Sequence, residues 1–386
     1  MKNEYVIGYN ISKYSEVIGV IKVRLTNEML KRISTIEQNR FSVNSVTLPA
    51  ITANKLRKNS KKKSSYASNK IEGNPLSEEQ ANDVIESDPH RHFLKPEQEI
   101  RNYFLALSFL EEKVKRKTLF SNQLILEVQA LVEKGASKEK IGLRGAMPPG
   151  VLFAVYDSET GVPEYIPPEH IDIPILLDEL VEYVNTTDDH PLIVAAIVHY
   201  QLVTIHPFED GNGRTARLMS GYVLDLFGYS FKGIGSLEEY FAYDVDEYYE
   251  ALQMGLPALY YAGRENPPHP EIWINYFLHM VELYSNRVCE LSKRSNEREL
   301  FVGLSYLNAK EKELLVFLIK RHLYEFTPIE ASKMIGVTNK TVINRCARLA
   351  DSGFIVPMIV KERIRSYKLS DFTVQNEKKL LEVILN

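Results

Sequence analysis

Residues 191–205 read Pro-Leu-Ile-Val-Ala-Ala-Ile-Val-His-Tyr-Gln-Leu-Val-Thr-Ile, a run too uniformly apolar to lie on a surface. The run is longer than a usual strand and meets Pro207 just beyond its end, so it predicts a buried helix that stops near His206. The fold must enclose that helix on every side and still leave room for a polar turn at its end. Phe208, Glu209, Asp210, Gly211, Asn212, Gly213 and Arg214 come next, with Arg217 three places further on. Gly211 and Gly213 have no Cβ, so the backbone can turn tightly and bring N–H groups close to a ligand. Arg214 to Met219 reads as the first turn of a second helix. Its unpaired N–H groups and positive dipole end would face the glycines and suit an anion such as a phosphate. Three positions apart, Arg214 and Arg217 are expected to reach one side of that helix and grip phosphate oxygens with their forks.

From His206 to Arg217 the sequence resembles the Fic family of nucleotidyltransferases, matching HPFx(D/E)GNGRxxR at every fixed position. The resemblance covers roughly residues 64–260, the size of a domain. It implies a mainly α fold, a helical Fic core with a small β-hairpin flap. The implied activity is that of a protein adenylyltransferase, which moves AMP from ATP to a Tyr, Thr or Ser hydroxyl of a target protein, itself included. In this reading His206, with an ordinary pKa near ~6.5, is neutral and accepts the hydroxyl proton. Asp210 holds Mg2+, a hard cation suited to carboxylate and phosphate oxygens. Asn212 and the N–H groups of Gly211 and Gly213 surround the α- and β-phosphates, Arg214 completes the phosphate site, and Arg217 reaches the γ-phosphate. Phe208 is expected to anchor the loop in the core and Glu209 to face solvent.

Upstream, Ser68-Asn69-Lys70-Ile71-Glu72-Gly73 is similar to the family's inhibitory (S/T)xxxE(G/N) helix. Taken alone the segment is a helix end, with Gly73 as its C′ residue and Pro75 beyond. The resemblance adds that Glu72 pairs with Arg217 and, with Ser68 on the same helix, shuts out the γ-phosphate. Residues 151–156 and 162–168 flank a polar turn at 157–161 and read as a hairpin, which in the family aligns the target segment by strand-like pairing. Tyr248 and Tyr249 resemble the aromatics beside the adenine pocket, while Leu256 stands where some relatives carry Asn, which leaves adenine selectivity open. Two other functions fit the same residues. One is removal of AMP, with Glu72 orienting a water; the other is a DNA-binding regulator whose core senses nucleotide without turnover.

The local charge balance marks a separate C-terminal domain. Residues 308–370 hold 12 Lys+Arg against 6 Asp+Glu in a chain of net charge -4. Helical patterns at 308–319, 327–335 and 341–349, a turn at 336–340 and two short strands near 351–357 and 364–369 predict a winged helix-turn-helix. Lys340, Asn344, Arg345 and Arg348 would meet DNA there, unless the module contacts protein instead; both readings stand. The expected domains are an N-terminal helical extension at 1–63, a Fic catalytic domain at 64–290 and the winged helix at 300–386. Leu25 to Ile33 predicts a helix in the extension, and the basic run from Lys55 to Lys63 predicts a solvated face. Cys289 and Cys346 lie in helical segments without disulfide or metal spacing, and no apolar run is long enough to span a membrane, so a cytoplasmic location is expected.

Overall fold

A computed structural model describes residues 20–48, 50–137, 140–151, 153–156, 161, 163–254, 269–360 and 363–385. The chain divides into two compact units. The first contains the described residues through Arg40 together with Leu56–Arg287, and the second Phe41–Lys55 with the described residues from Val288 onward. In chain order the helices and strands leading to the central loop are α1 (Asn27–Ser45), α2 (Ala50–Ile71), α3 (Glu78–Glu86), α4 (Lys95–Lys115), α5 (Asn122–Glu133), β1 (Val155–Tyr156), β2 (Pro163–Tyr165), α6 (Ile173–Thr186) and α7 (Pro191–Ile205). Beyond it come α8 (Asn212–Leu226), α9 (Glu238–Phe241), α10 (Val245–Gln253) and α11 (Pro270–Ser305).

The apolar run forms α7 as its composition demands. Pro191 takes a first-turn position, the His190 side chain accepts from the Leu192 N–H, and nearly every residue from Leu192 to Tyr200 is buried. A fully buried Leu, Ile or Val stabilises the fold by roughly 1.5–3 kcal/mol, so this one helix anchors the unit. It packs against α6 and α8, and α4 and α5 pack on α8 in turn. Trp273 of α11 is fully buried and donates its indole N–H to the Ala196 carbonyl at 2.8 Å. These partners explain how a helix apolar on every face can exist in water.

Among the described residues the strands of the hairpin are shorter than the sequence suggests. β1 and β2 pair antiparallel, Val155 opposite Tyr165 and Tyr156 opposite Pro163, while the predicted turn residues 157–160 and the flanking Leu152 and Val162 lie outside the described residues. Proline lacks an N–H, so Pro167 and Pro168 cannot donate to a continuation of β2. The Tyr165 hydroxyl ties the hairpin to the end of α7 by donating to the Thr204 carbonyl at 2.6 Å. The basic run behaves differently from expectation: on α2, Lys58 and Lys62 pair with Glu86, Lys61 with Glu111 and Lys63 with Glu239, so four of its cations hold the helix to its neighbours.

In the second unit the later elements are α12 (Ala309–Lys320), β3 (Glu325–Phe326), α13 (Pro328–Ile335), α14 (Asn339–Asp351), β4 (Ile355–Val360), β5 (Arg363–Leu369), α15 (Asp371–Gln375) and α16 (Glu377–Leu385). Thr327 caps α13 in a capping box with Glu330, Gly336 closes it in the left-handed conformation, and Thr338 caps α14. The strands form one antiparallel sheet in the order β3-β5-β4. Periodicity alone did not reveal β3, α15 or α16. Among the described residues no helix is long and apolar enough to cross a membrane, and both cysteines are buried free thiols.

Candidate active site

The turn between α7 and α8 is held by its own residues. His206 ends α7 in the left-handed region at φ 49°, and Gly211 starts α8 at φ 80°. A left-handed conformation is uncommon for a residue with a side chain, so something must hold His206 there. Arg144 does this: its Nε donates to the His206 carbonyl at 2.7 Å, its guanidinium also reaches the Pro168 carbonyl, and its N–H bonds the Pro207 carbonyl at 2.9 Å. Phe208 is buried and Glu209 exposed. Asn212 clamps the loop across its mouth, accepting from the Phe208 N–H at 3.0 Å and donating to the Phe208 carbonyl at 2.9 Å. Its amide is therefore engaged with the loop in this structure, although the sequence pattern placed it around phosphate.

The His206 ring has a defined protonation pattern. Its Nδ1 lies 3.2 Å from the Val203 carbonyl. A carbonyl only accepts, so Nδ1 carries the hydrogen and Nε2 keeps its lone pair. Burial pushes the ring's pKa down to about 4, against the opposing pull of the Val203 carbonyl. The imidazole is thus a neutral base at the head of the loop, with the Phe153 ring 6.0 Å away.

Four residues on, the Asp210 carboxylate is partly exposed, and its Oδ1 accepts from the Gly211 N–H at 2.8 Å. Burial opposes its charge, but Arg214, the Gly211 N–H and Lys140 outweigh that and hold the carboxyl below its usual range. Gln129, buried on α5, donates to the carbonyls of Lys140 and Asp210 and accepts from the Gly142 N–H, joining two loops at the site.

The two arginines do not share one side as their spacing suggested. Arg214 turns inward, donating to Glu133 Oε1 at 2.9 Å and Asp210 Oδ1 at 3.3 Å. Arg217 turns toward α2 and donates to Ser68 Oγ at 2.8 Å, the Ser68 carbonyl at 3.0 Å and Glu72 Oε1 at 2.5 Å. Positions i and i+3 sit side by side on a helix, but long side chains follow their counter-charges, and here those are Glu133 of α5 for Arg214 and Glu72, just past α2, for Arg217. Burial opposes the Arg217 charge, but the Glu72 carboxylate, together with Tyr248 and Tyr103, outweighs it and raises the pKa. A Cβ at Gly213 would lie 2.3 Å from Glu72 Oε1, so the absence of a side chain at 213 lets the carboxylate settle over the start of α8.

Tyr248 is buried, and its hydroxyl sits between Arg217 Nη1 at 3.3 Å and His199 Nε2 at 2.8 Å. Tyr249 is half-exposed, its ring 5.1 Å from that of Tyr248. Leu256 lies outside the described residues. Sequence reasoning missed Arg144, Gln129, Glu133 and His199. None belongs to a motif, and each acts on a segment distant in the chain.

A family model described as Fic/DOC family matches residues 120–224. The chain is 27% identical over 219 residues to a protein adenylyltransferase Fic of Drosophila mojavensis, covering 54% of this chain and 40% of that one. It is 28% identical over 211 residues to a protein of the same name from Nematostella vectensis, covering 53% and 46%. The chain thus spans less than half the length of these curated relatives. Among solved structures, a Fic family protein from Desulfovibrio desulfuricans has a TM-score of 0.55 at 19% identity, covering 90% of this chain and 97% of that one. Fic-1 from C. elegans has a TM-score of 0.54 at 22% identity, covering 69% and 73%. Neutral imidazole, glycine turn and paired arginines thus lie on a fold that solved Fic proteins share, and the chain carries a Fic/DOC family domain.

Proposed function

We propose that the chain is a protein adenylyltransferase that moves AMP from ATP to a Tyr, Thr or Ser hydroxyl of a protein, held in check by Glu72. The observation that carries this reading is the His206 ring, neutral and with Nε2 free of its hydrogen, set at the mouth of a glycine turn that opens a helix. In the reaction the target oxygen attacks the α-phosphorus, its proton passes to Nε2, and the bond to pyrophosphate breaks. The α8 N-terminus and the backbone at Gly213 stabilise the charge that builds on the phosphoryl oxygens, while the Gly211 N–H donates to Asp210. Asp210 suits Mg2+: it is an ionised, partly exposed carboxylate beside the phosphate turn, and this ion typically takes one or two protein carboxylates and completes its shell with phosphates and water. When bound, Mg2+ would neutralise phosphate charge. The names of the curated relatives support the same reaction. Incubation of wild type and Glu72→Gly with labelled ATP and Mg2+ tests it; label transferred to protein in neither removes the proposal.

Asp210 and Arg217 should fail in different ways. In a Glu72→Gly chain that prefers ATP to ADP, Arg217→Ala is expected to equalise the two affinities, because the lost fork served only the γ-phosphate. Asp210→Asn should weaken the Mg2+ dependence of nucleotide binding, since a neutral amide is a poor ligand for a hard cation. Calorimetry with ATP and ADP, with and without Mg2+, reads both effects. An ATP preference that survives Arg217→Ala counts against the γ-phosphate assignment.

For the C-terminal residues we infer a winged helix-turn-helix whose α14 meets a partner. Lys340, Asn344 and Arg348 are exposed on that helix. If Lys340, Arg345 and Arg348 touch DNA phosphates, affinity for duplex should fall with salt at a log–log slope of about -0.9 per contact, and the triple alanine variant should flatten it. Fluorescence anisotropy across a salt series reads the slope. No binding at low salt, with self-association lost on deleting residues 308–386, would identify a protein-contact module.

A further inference from the structure

Glu133 closes α5 and has no part in the mechanism above, yet it is a fully enclosed carboxylate pressed against the phosphate turn. A Cβ at Gly211 would fall 2.6 Å from its Oε1, so the glycine that starts α8 also makes room for this side chain. Oε1 accepts from Arg214 Nη2 at 2.9 Å, and the same nitrogen reaches Asp210 Oδ1 at 3.3 Å. Its other oxygen, Oε2, has no hydrogen-bond partner among the described residues. Glu99 lies 3.8 Å from Arg214 Nη1, and Lys140 is 3.5 Å from Asp210 Oδ2.

The geometry of this row decides how Asp210 is presented. Arg214 Nη2 makes its shorter bond to Glu133, 2.9 Å against 3.3 Å to Asp210, so the enclosed carboxyl of α5 draws the guanidinium away from Asp210. Arg214 thus touches Asp210 through Oδ1 and leaves Oδ2, 3.5 Å from Lys140, to the site. Residues that hold a metal's ligand in this way typically change metal affinity 10–100-fold when replaced.

We propose that Glu133 is a positioning residue for Mg2+ binding, acting through Arg214 on Asp210. The inference rests on the reading of Asp210 as the metal ligand. It is tested on nucleotide binding, independent of turnover, by calorimetric titration of ADP across a Mg2+ series in the full chain carrying Glu72→Gly. Glu133→Gln, nearly identical in shape, should raise the Mg2+ concentration for half-maximal ADP binding about 10-fold or more while leaving metal-free ADP binding unchanged. Thermal unfolding establishes that the variant is folded. If it is not, Glu133→Asp, which keeps the carboxyl but draws it one methylene back from Arg214, should show the same Mg2+ shift at smaller amplitude. In an Asp210→Asn chain, Glu133→Gln should add nothing, because its route to the metal is gone. An unchanged Mg2+ midpoint in folded Glu133→Gln, or an equal additional loss on top of Asp210→Asn, overturns the proposal. Asp210→Asn with wild-type Mg2+ dependence would instead remove the ligand reading, and this proposal with it.

Discussion

Replacing His206 with Ala in a Glu72→Gly chain should lower AMP transfer on the order of 10²–10⁴-fold, the usual contribution of a positioned general base, while Mg·ATP affinity stays nearly unchanged. The ring acts on the target's proton, and the phosphates are held by other groups. The pH profile supplies an independent check. Burial pushes the folded-state pKa down to about 4, below the ~6.5 of a free imidazole. The base is then already neutral at mildly acidic pH, so the acid limb of transfer belongs near 4. Glu72 raises this pKa, so its removal moves the limb further down. Stability obeys the same linkage. The unfolded chain takes up the proton first as pH falls, so the stability this group contributes is present above about 6.5 and is lost as pH drops toward 4. Single-turnover rates from pH 8 to pH 4 should stay level through 6.5 and fall only at the acid end of the series. Transfer that halves near 6.5, or near-wild-type transfer by His206→Ala, would contradict the assignment of His206 as the base.

How much of this was legible in the sequence depends on how local each feature is. α7 was legible because a helix apolar on every face leaves one option, and the turn after it because a proline stops the helix and two glycines free the backbone within a few residues. The start of α13 was legible in the same way, because Thr327 and Pro328 act on their own helix, whereas α14 begins at Asn339, inside what reads as a turn. The supports of the turn were not. Arg144 reaches His206 across 62 positions, Gln129 reaches Asp210 across 81, and Glu133 reaches Arg214 across 81. Arg, Gln and Glu are ordinary on any surface, and only the packing of α5 and of the loop bearing Arg144 against the turn makes them special. The inward turn of Arg214 was hidden too, since its counter-charge is one of those distant residues. Glu72 was noticed only through resemblance, because Ser68 to Gly73 by itself reads as a helix end, and α2 does finish at Ile71.

Glu72→Gly is expected to raise AMP transfer on the order of 10- to 100-fold. The reason is what occupies Arg217. Its guanidinium is almost fully buried, and the Glu72 carboxylate holds it at 2.5 Å from a side chain that is 31% exposed. Hydrogen bonds to charged groups contribute about 1.5–3 kcal/mol, which corresponds to roughly one to two powers of ten in an equilibrium. A γ-phosphate approaching Arg217 must displace that carboxylate and, until it does, meets another anion. Glycine at 72 removes the competitor and the repulsion together, so productive Mg·ATP binding and transfer should rise in parallel. The same change leaves a buried cation short of a partner. Without nucleotide the variant should therefore unfold at a lower temperature than wild type, and Mg·ATP should restore more of the loss than it adds to wild type. Ser68→Ala should activate less, because the Ser68 backbone carbonyl still accepts from Arg217 after the hydroxyl is gone. Autoradiography over a range of ATP and Mg2+, with unfolding scans on the same samples, separates the outcomes. Should a folded Glu72→Gly chain transfer no more AMP than wild type, the pair between α2 and α8 is structural, and what restrains this domain lies elsewhere.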